Sequence, residues 1–179
     1  MITIKVMKAR LIIASIFFMM IAGAKAQVHY ETIADSEHPG NKILKGIINK
    51  DILKNDTSYK WYSDNQKIYM HPDSALVNAF ERNKDRAHYI IFGGTWCEDT
   101  QFILPKFFIL QEKAGISNDS ITFYAVDRNK QTTGNTASLY NIVNVPAIIV
   151  LRDGKEVGRV VEYGKTGKWD KELADILNL

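Results

Sequence analysis

The residue best suited to chemistry in this chain is its single cysteine, Cys97. One thiol cannot form a disulfide within the chain, and alone it cannot supply a multi-thiolate zinc or iron–sulfur site. Cys97 follows a β-prone apolar run, residues 88–92, and precedes a helix-length apolar segment. The N-terminus of a helix favours negative charge, and the thiolate is the form of cysteine that attacks disulfides. This placement predicts a nucleophilic thiol at a strand-to-helix junction.

The alternative for a lone cysteine is a buried structural thiol. The neighbours of Cys97 favour exposure because they are polar, namely Thr95, Glu98, Asp99 and Thr100. Glu98 and Asp99 place negative charge near the sulfur, which opposes the thiolate. A hydrogen bond from the Thr100 hydroxyl would favour it. The two influences on the thiolate therefore act in opposite directions.

The elements that must position this thiol alternate between helix and strand. Apolar periodicity predicts strands over residues 88–92, 121–126, 147–151 and 157–161, and helices over residues 75–80, 101–114, 137–142 and 168–179. Pro105 lies inside the second helix and predicts a kink in its first turns. The turn-rich residues 152–156 predict an antiparallel hairpin. Together these elements predict an α/β sandwich with a mixed sheet.

The segment before these elements has a weaker pattern. Apolar residues between positions 43 and 53 recur at helix-like spacing, and a polar stretch follows them up to residue 65. We therefore expect an N-terminal helical extension and connector over residues 27–65. A single compact domain is expected over residues 66–179.

The first 26 residues predict a secretory signal. Basic residues up to Arg10 precede a twelve-residue apolar run, and Ala24-Lys25-Ala26 supplies a cleavage site after Ala26. The run is shorter than the roughly 20 residues that span a bilayer, so no stable membrane anchor is expected after cleavage. The mature protein is expected to be exported, periplasmic or secreted, where thiols tend to oxidise.

The basic character of the chain also comes from this segment. Four of the 23 Lys and Arg residues lie in residues 1–26, so 19 remain against 20 Asp and Glu residues. No phosphate-neutralising excess remains, which argues against a nucleic-acid partner. The four histidines show no metal-ligand spacing, so neither a metal nor another cofactor is expected.

Two sequence motifs resemble the active site of the thioredoxin-fold superfamily. Trp96-Cys97-Glu98-Asp99-Thr100 is similar to the family's Trp-Cys-x-x-Cys motif, with Pro105 at the place of its kinking proline. Asn144-Val145-Pro146-Ala147, before a predicted strand, resembles the cis-proline loop. The resemblance covers residues 66–179 and implies a thioredoxin-like three-layer sandwich, with a mixed central sheet flanked by helices.

The resemblance also implies a role for each site residue. Cys97 would be the nucleophile that forms a mixed disulfide with a substrate. Pro146, if cis, would place the Val145 backbone beside the sulfur, where it can pair with an extended substrate segment. Trp96 would shield one side of the sulfur and offer an apolar contact. Protein or peptide thiols and disulfides, with a low-molecular-weight thiol as a further candidate, are the implied partners.

The chain departs from the family pattern at two positions. Thr100 replaces the second cysteine, so an outside thiol must release any mixed disulfide at Cys97. Ile91 stands where the family often has a buried aspartate used in proton transfer. The first hypothesis is monothiol disulfide isomerisation or mixed-disulfide reduction. The second is a non-catalytic peptide-binding or protein-binding module, and a weaker third is a dimer that shares a metal or iron–sulfur cluster through Cys97 and glutathione.

Overall fold

A computed structural model describes residues 28–179, which form one six-stranded mixed sheet with helices packed on it. The strand order is β1-β2-β4-β3-β5-β6. The strands are β1 (His29–Ala34), β2 (Lys42–Ile48), β3 (His88–Gly93), β4 (Ile121–Ala125), β5 (Ala147–Arg152) and β6 (Lys155–Val161). The helices are α1 (Lys50–Asn55), α2 (Lys60–Lys67), α3 (Ser74–Arg82), α4 (Glu98–Lys113), α5 (Thr136–Leu139) and α6 (Trp169–Leu177). The predicted signal and its cleavage site lie outside the described residues.

The mixed sheet with flanking helices that the sequence predicts is confirmed. β3 pairs in parallel with β4 and antiparallel with β5, and β5 forms the predicted hairpin with β6. Tyr89 and Ile91 of β3 point into one apolar cluster, whereas Ile90 and Phe92 point into a second. Because both faces of β3 are covered, a continuous apolar run is the stable sequence for this strand.

The larger apolar cluster lies between the sheet and all helices except α5. Its centre is aromatic: the rings of Phe80, Tyr89 and Phe107 lie with centroids 5.4 to 6.3 Å apart. α4 continues through Pro105 to Lys113 and buries ten of its residues, as its nearly all-apolar sequence predicts. None of the helices within residues 28–179 combines the length and apolar character needed to cross a bilayer.

The predicted helix over residues 43–53 is wrong in its first half. Residues 42–48 form β2, and only α1 at the end of this segment is helical. β2 lies between β1 and β4 and buries both Ile43 and Leu44. A strand covered on both faces has apolar residues on both, and over so short a run that pattern also fits a helix. The predicted polar connector also contains a helix, α2.

The first strand was not predicted because it is largely exposed and has no apolar face. Five of the six residues of β1 are exposed, and all six pair with β2. Gly46 makes this pairing possible. Its φ is +127°, and a Cβ there would contact the His29 carbonyl and lie 2.7 Å from the Tyr30 Cα. Strands β1 and β2 therefore extend the same sheet as the elements after residue 66.

Two leucines test how far the larger cluster stabilises the fold. Leu110 in α4 is fully buried, whereas Leu139 in α5 is 73% exposed. We expect Leu110→Ala to lower the free energy of unfolding by about 2 to 5 kcal/mol, through lost burial and a cavity. Leu139→Ala, the matched control, should change it by less than about 0.5 kcal/mol. Urea titration measures both, and equal effects would contradict the described core.

Candidate functional site

The pairing of the central strands brings the predicted site residues together. Phe92 pairs with Ala147 in the antiparallel register of β3 and β5. The chain that leaves β3 therefore lies beside the chain that enters β5. Cys97 is on the first of these segments, and Val145 and Pro146 are on the second. Residues almost fifty positions apart thus meet at one edge of the sheet.

Cys97 is the N-cap residue of α4, with an extended backbone conformation. Its N–H donates to the Gly94 carbonyl at 3.0 Å, and its own carbonyl accepts from the Gln101 N–H at 2.9 Å. The thiol is half-buried and donates to the Val145 carbonyl, with 3.2 Å between Sγ and O. The sulfur therefore lies at the positive end of a 16-residue helix.

The other wall beside the sulfur is the loop that precedes β5. The Val145–Pro146 peptide bond is cis, and both residues are buried. The Val145 carbonyl faces the thiol. No protein acceptor within residues 28–179 takes the Val145 N–H. This backbone can therefore pair with an extended segment of another molecule laid across the sulfur.

Thr100 lies on the inner side of α4 and is 1% exposed. Its hydroxyl accepts a hydrogen bond from the Gly94 N–H at 3.2 Å. Its methyl group fills the space beside Gly93, where a Cβ would lie 2.9 Å from it. The Thr100 hydroxyl therefore stabilises the turn after β3, and the Cys97 thiol is hydrogen-bonded to Val145 instead of Thr100. The sequence did not reveal this structural role of Thr100.

Trp96 folds back over the end of β4. Its indole Nε1 donates to the Val126 carbonyl at 3.0 Å. Gly94 is required for this position because a Cβ there would lie 2.6 Å from the indole ring. The Arg128 guanidinium lies over the same ring, 4.9 Å from its centroid. Arg128 lies in the polar stretch after β4, and no local sequence pattern signals its position against Trp96.

The two acidic residues after Cys97 differ in their surroundings. Glu98 is exposed, whereas Asp99 is half-buried beside Tyr163, which follows β6. Burial, together with the Asp99 carboxylate, raises the pKa of Tyr163. The negative charge of Asp99 thus lies at one rim of the site, near an aromatic hydroxyl.

A cavity of about 490 Å³ lies beside Trp96 and Glu98. The loop between β1 and β2 forms much of its wall, together with Tyr59 and Trp61. The sequence did not associate this N-terminal segment with the site. Within the described part of the chain, no group of three or more His, Cys, Asp or Glu residues is arranged to hold a metal ion.

The buried hydroxyl of Thr100 yields a stability prediction. Thr100→Val keeps the shape but leaves the buried Gly94 N–H without its acceptor, so we expect a loss of about 1 to 3 kcal/mol in the free energy of unfolding. Thr57→Val, at an exposed threonine, is the matched control and should change it by less than about 0.5 kcal/mol. Chemical denaturation measures both. A Thr100→Val protein as stable as the parent would show that this hydrogen bond is dispensable.

Comparison with known proteins agrees with this geometry. An HIV epitope-scaffold protein of known structure is 17% identical, with a TM-score of 0.53 over 75% of this chain and 91% of its own, which shows a shared fold. A thioredoxin of Mycolicibacterium smegmatis is 32% identical over 48% of this chain and 74% of its own length. A TPR repeat-containing thioredoxin of Arabidopsis thaliana is 29% identical over 63% of this chain, which spans only 28% of that protein. The thioredoxin family model matches residues 73–175, and the chain belongs to the thioredoxin family.

Proposed function

We propose that this protein exchanges thiols and disulfides in an exported compartment, with Cys97 as a single nucleophile. Family membership supports a thiol–disulfide redox role in general. The observation that carries the specific proposal is the half-buried Cys97 thiol at the N-cap of α4, with its Sγ 3.2 Å from the Val145 carbonyl. The proposed substrates are protein or peptide disulfides whose extended backbone pairs beside Pro146.

The reaction begins when the Cys97 thiolate attacks one sulfur of a substrate disulfide. The substrate S–S bond breaks, a new S–S bond joins Cys97 to the substrate, and the displaced substrate thiolate takes a proton. In isomerisation, a second substrate thiolate attacks the mixed disulfide and releases Cys97, with no net change in oxidation state. In reduction, one external thiol displaces the substrate from Cys97, and a second frees Cys97 as the two external thiols become oxidised to a disulfide.

The chain has one cysteine, so the proposed cycle needs these outside thiols. Thr100 fills the position of a resolving cysteine but is engaged in the turn after β3. Ile91 is fully buried in β3 and cannot carry a proton. These two replacements also favour the second candidate, a binding module that keeps the peptide groove and has lost the chemistry.

Exchange at Cys97 can be measured with a synthetic peptide whose cysteine is disulfide-linked to a chromophoric thiol. At neutral pH we expect the folded protein to release the chromophore roughly tenfold faster than the same protein unfolded in urea, because the fold stabilises the attacking thiolate. Intact mass should show the peptide on Cys97. The rates are compared with a model thiol in both solvents, to correct for the effect of urea.

The Cys97→Ser variant distinguishes the two candidates. If the protein catalyses exchange, this variant should form no adduct and release no chromophore. If the protein is a binding module, the variant should retain full affinity for the same peptide without its disulfide. The thiol of the folded parent protein would then react no faster than that of the unfolded parent. That pair of results would overturn the proposed exchange and favour the module.

Export is the second part of the proposal. We expect a cell that recognises the signal to release a mature chain that begins at Gln27, because small residues at positions 24 and 26 define the cleavage site. N-terminal sequencing of the exported protein measures this. Ala26→Phe should block cleavage, whereas Ala14→Phe, in the apolar run, should be processed normally. Retention of the uncleaved parent chain in the cytosol would contradict export.

A further inference from the structure

A cation that the family resemblance does not supply lies against Trp96, the residue that precedes the proposed nucleophile. Arg128 follows β4, and its guanidinium carbon lies 4.9 Å from the centroid of the Trp96 ring. Lys130 Nζ lies 5.5 Å from the same ring. A cation over an indole face is held by the electrostatics of the ring. Trp96 immediately precedes Cys97, so this contact brings positive charge to the segment that carries the thiol.

The N-terminal hairpin, which consists of β1, β2 and the loop between them, fixes the orientation of this guanidinium. Arg128 Nε lies 2.7 Å from Asp35 Oδ1, and Nη2 lies 2.9 Å from Oδ2. A third contact, of 2.6 Å, joins Nη1 to Glu37. The Asp35 side chain is only 2% exposed, and the Arg128 guanidinium holds the pKa of that carboxyl well below its usual range. A two-point ion pair of this kind sets the plane of the guanidinium as well as its position.

Two further contacts join the hairpin to the same region. Lys45 of β2 forms an ion pair of 2.8 Å with Asp127, the residue before Arg128. The Leu44 N–H donates to the hydroxyl of Thr95, the residue before Trp96, at 3.2 Å. The family match begins at residue 73, so the hairpin lies outside the matched range, and it contacts both segments that bear the Trp96–Arg128 contact.

The charged and titratable groups around Cys97 come from four parts of the fold. They are Glu98 and Asp99 of α4, Tyr163 after β6, Arg128 and Lys130 after β4, and Asp35 and Glu37 of the hairpin loop. The hydrogen bond to Asp35 is the main cause of the raised pKa of Arg128. The Arg128 guanidinium lies against Trp96, the residue before Cys97, and its positive charge there opposes the charge of the acidic groups.

We propose that Arg128, fixed by Asp35 and packed on Trp96, is a positioning residue that stabilises the Cys97 thiolate, so that the N-terminal hairpin sets the reactivity of the site. Arg128 acts through its charge and not as a hydrogen-bond partner of the sulfur, since the hydrogen bond of the Cys97 thiol goes to the Val145 carbonyl. This inference rests on the proposed role of Cys97 as the nucleophile. It is tested by alkylation, which needs no disulfide partner, so its outcome is independent of whether exchange is observed.

The test compares alkylation of Cys97 by the neutral reagent iodoacetamide at pH 7 and pH 10. The rate at pH 10 reports access to the sulfur, and the ratio of the two rates reports the thiolate fraction at pH 7. Arg128→Met should lower this ratio by roughly three- to tenfold, since one nearby positive charge is lost. Arg128→Lys keeps the charge and should stay within about twofold of the parent. Arg86→Met removes an exposed arginine outside the site and should leave the ratio unchanged.

An unchanged ratio in folded Arg128→Met protein would overturn the proposal. Arg128→Met also leaves the buried Asp35 carboxylate without its partner, so circular dichroism must confirm that the variant folds. If it does not fold, Asp35→Asn gives a second test. Asp35→Asn keeps only one of the two acceptors that fix the Arg128 guanidinium, so the loss of positioning should lower the ratio, whereas the loss of a negative charge alone would raise it. A ratio at or above that of the parent would then reject the role of the hairpin.

Discussion

The site depends on the register between β3 and β5. Because Phe92 lies opposite Ala147, the turn after β3 and the loop before β5 emerge side by side. The Cys97 thiol and the Val145 carbonyl meet only because of this pairing, which the second apolar cluster under Trp96 and Cys97 supports. A shift of one residue would turn every side chain of β5 to the opposite face and separate the two groups. The same register between β3 and β5 therefore determines both the packing of the sheet and the geometry of the site.

The central elements could be predicted because their local patterns agree with their tertiary surroundings. β3 is buried on both faces and has an uninterrupted apolar sequence, and α4 is apolar on nearly all sides for the same reason. The hairpin of β5 and β6 was visible from its turn residues, with Asp153 and Gly154 both at positive φ. Cys97, Val145 and Pro146 could be linked only through the family motif, because no local pattern connects residues so far apart in sequence.

The N-terminal segment could not be predicted in the same way. β1 is held by backbone pairing with β2, and its exposed side chains carry no periodic signal. β2 is a strand because β4 offers it a free edge, a fact about the assembled sheet that residues 42–48 do not contain. The Asp35–Arg128 ion pair joins positions 93 residues apart, so the local sequence around either residue does not predict it. The sequence thus locates the candidate nucleophile, but it does not reveal the charges and the cavity wall that this segment contributes.

The single cysteine makes the stability of the fold independent of internal disulfides. Two apolar clusters and six paired strands stabilise residues 28–179, and with one cysteine the chain can neither form nor lose an internal disulfide. A change in ambient redox potential can alter what is attached to the half-buried sulfur without adding or removing an internal disulfide that restricts the unfolded chain. The resistance of the fold to heat and denaturant therefore does not change when internal disulfides are reduced, as it does in many small disulfide-bonded domains.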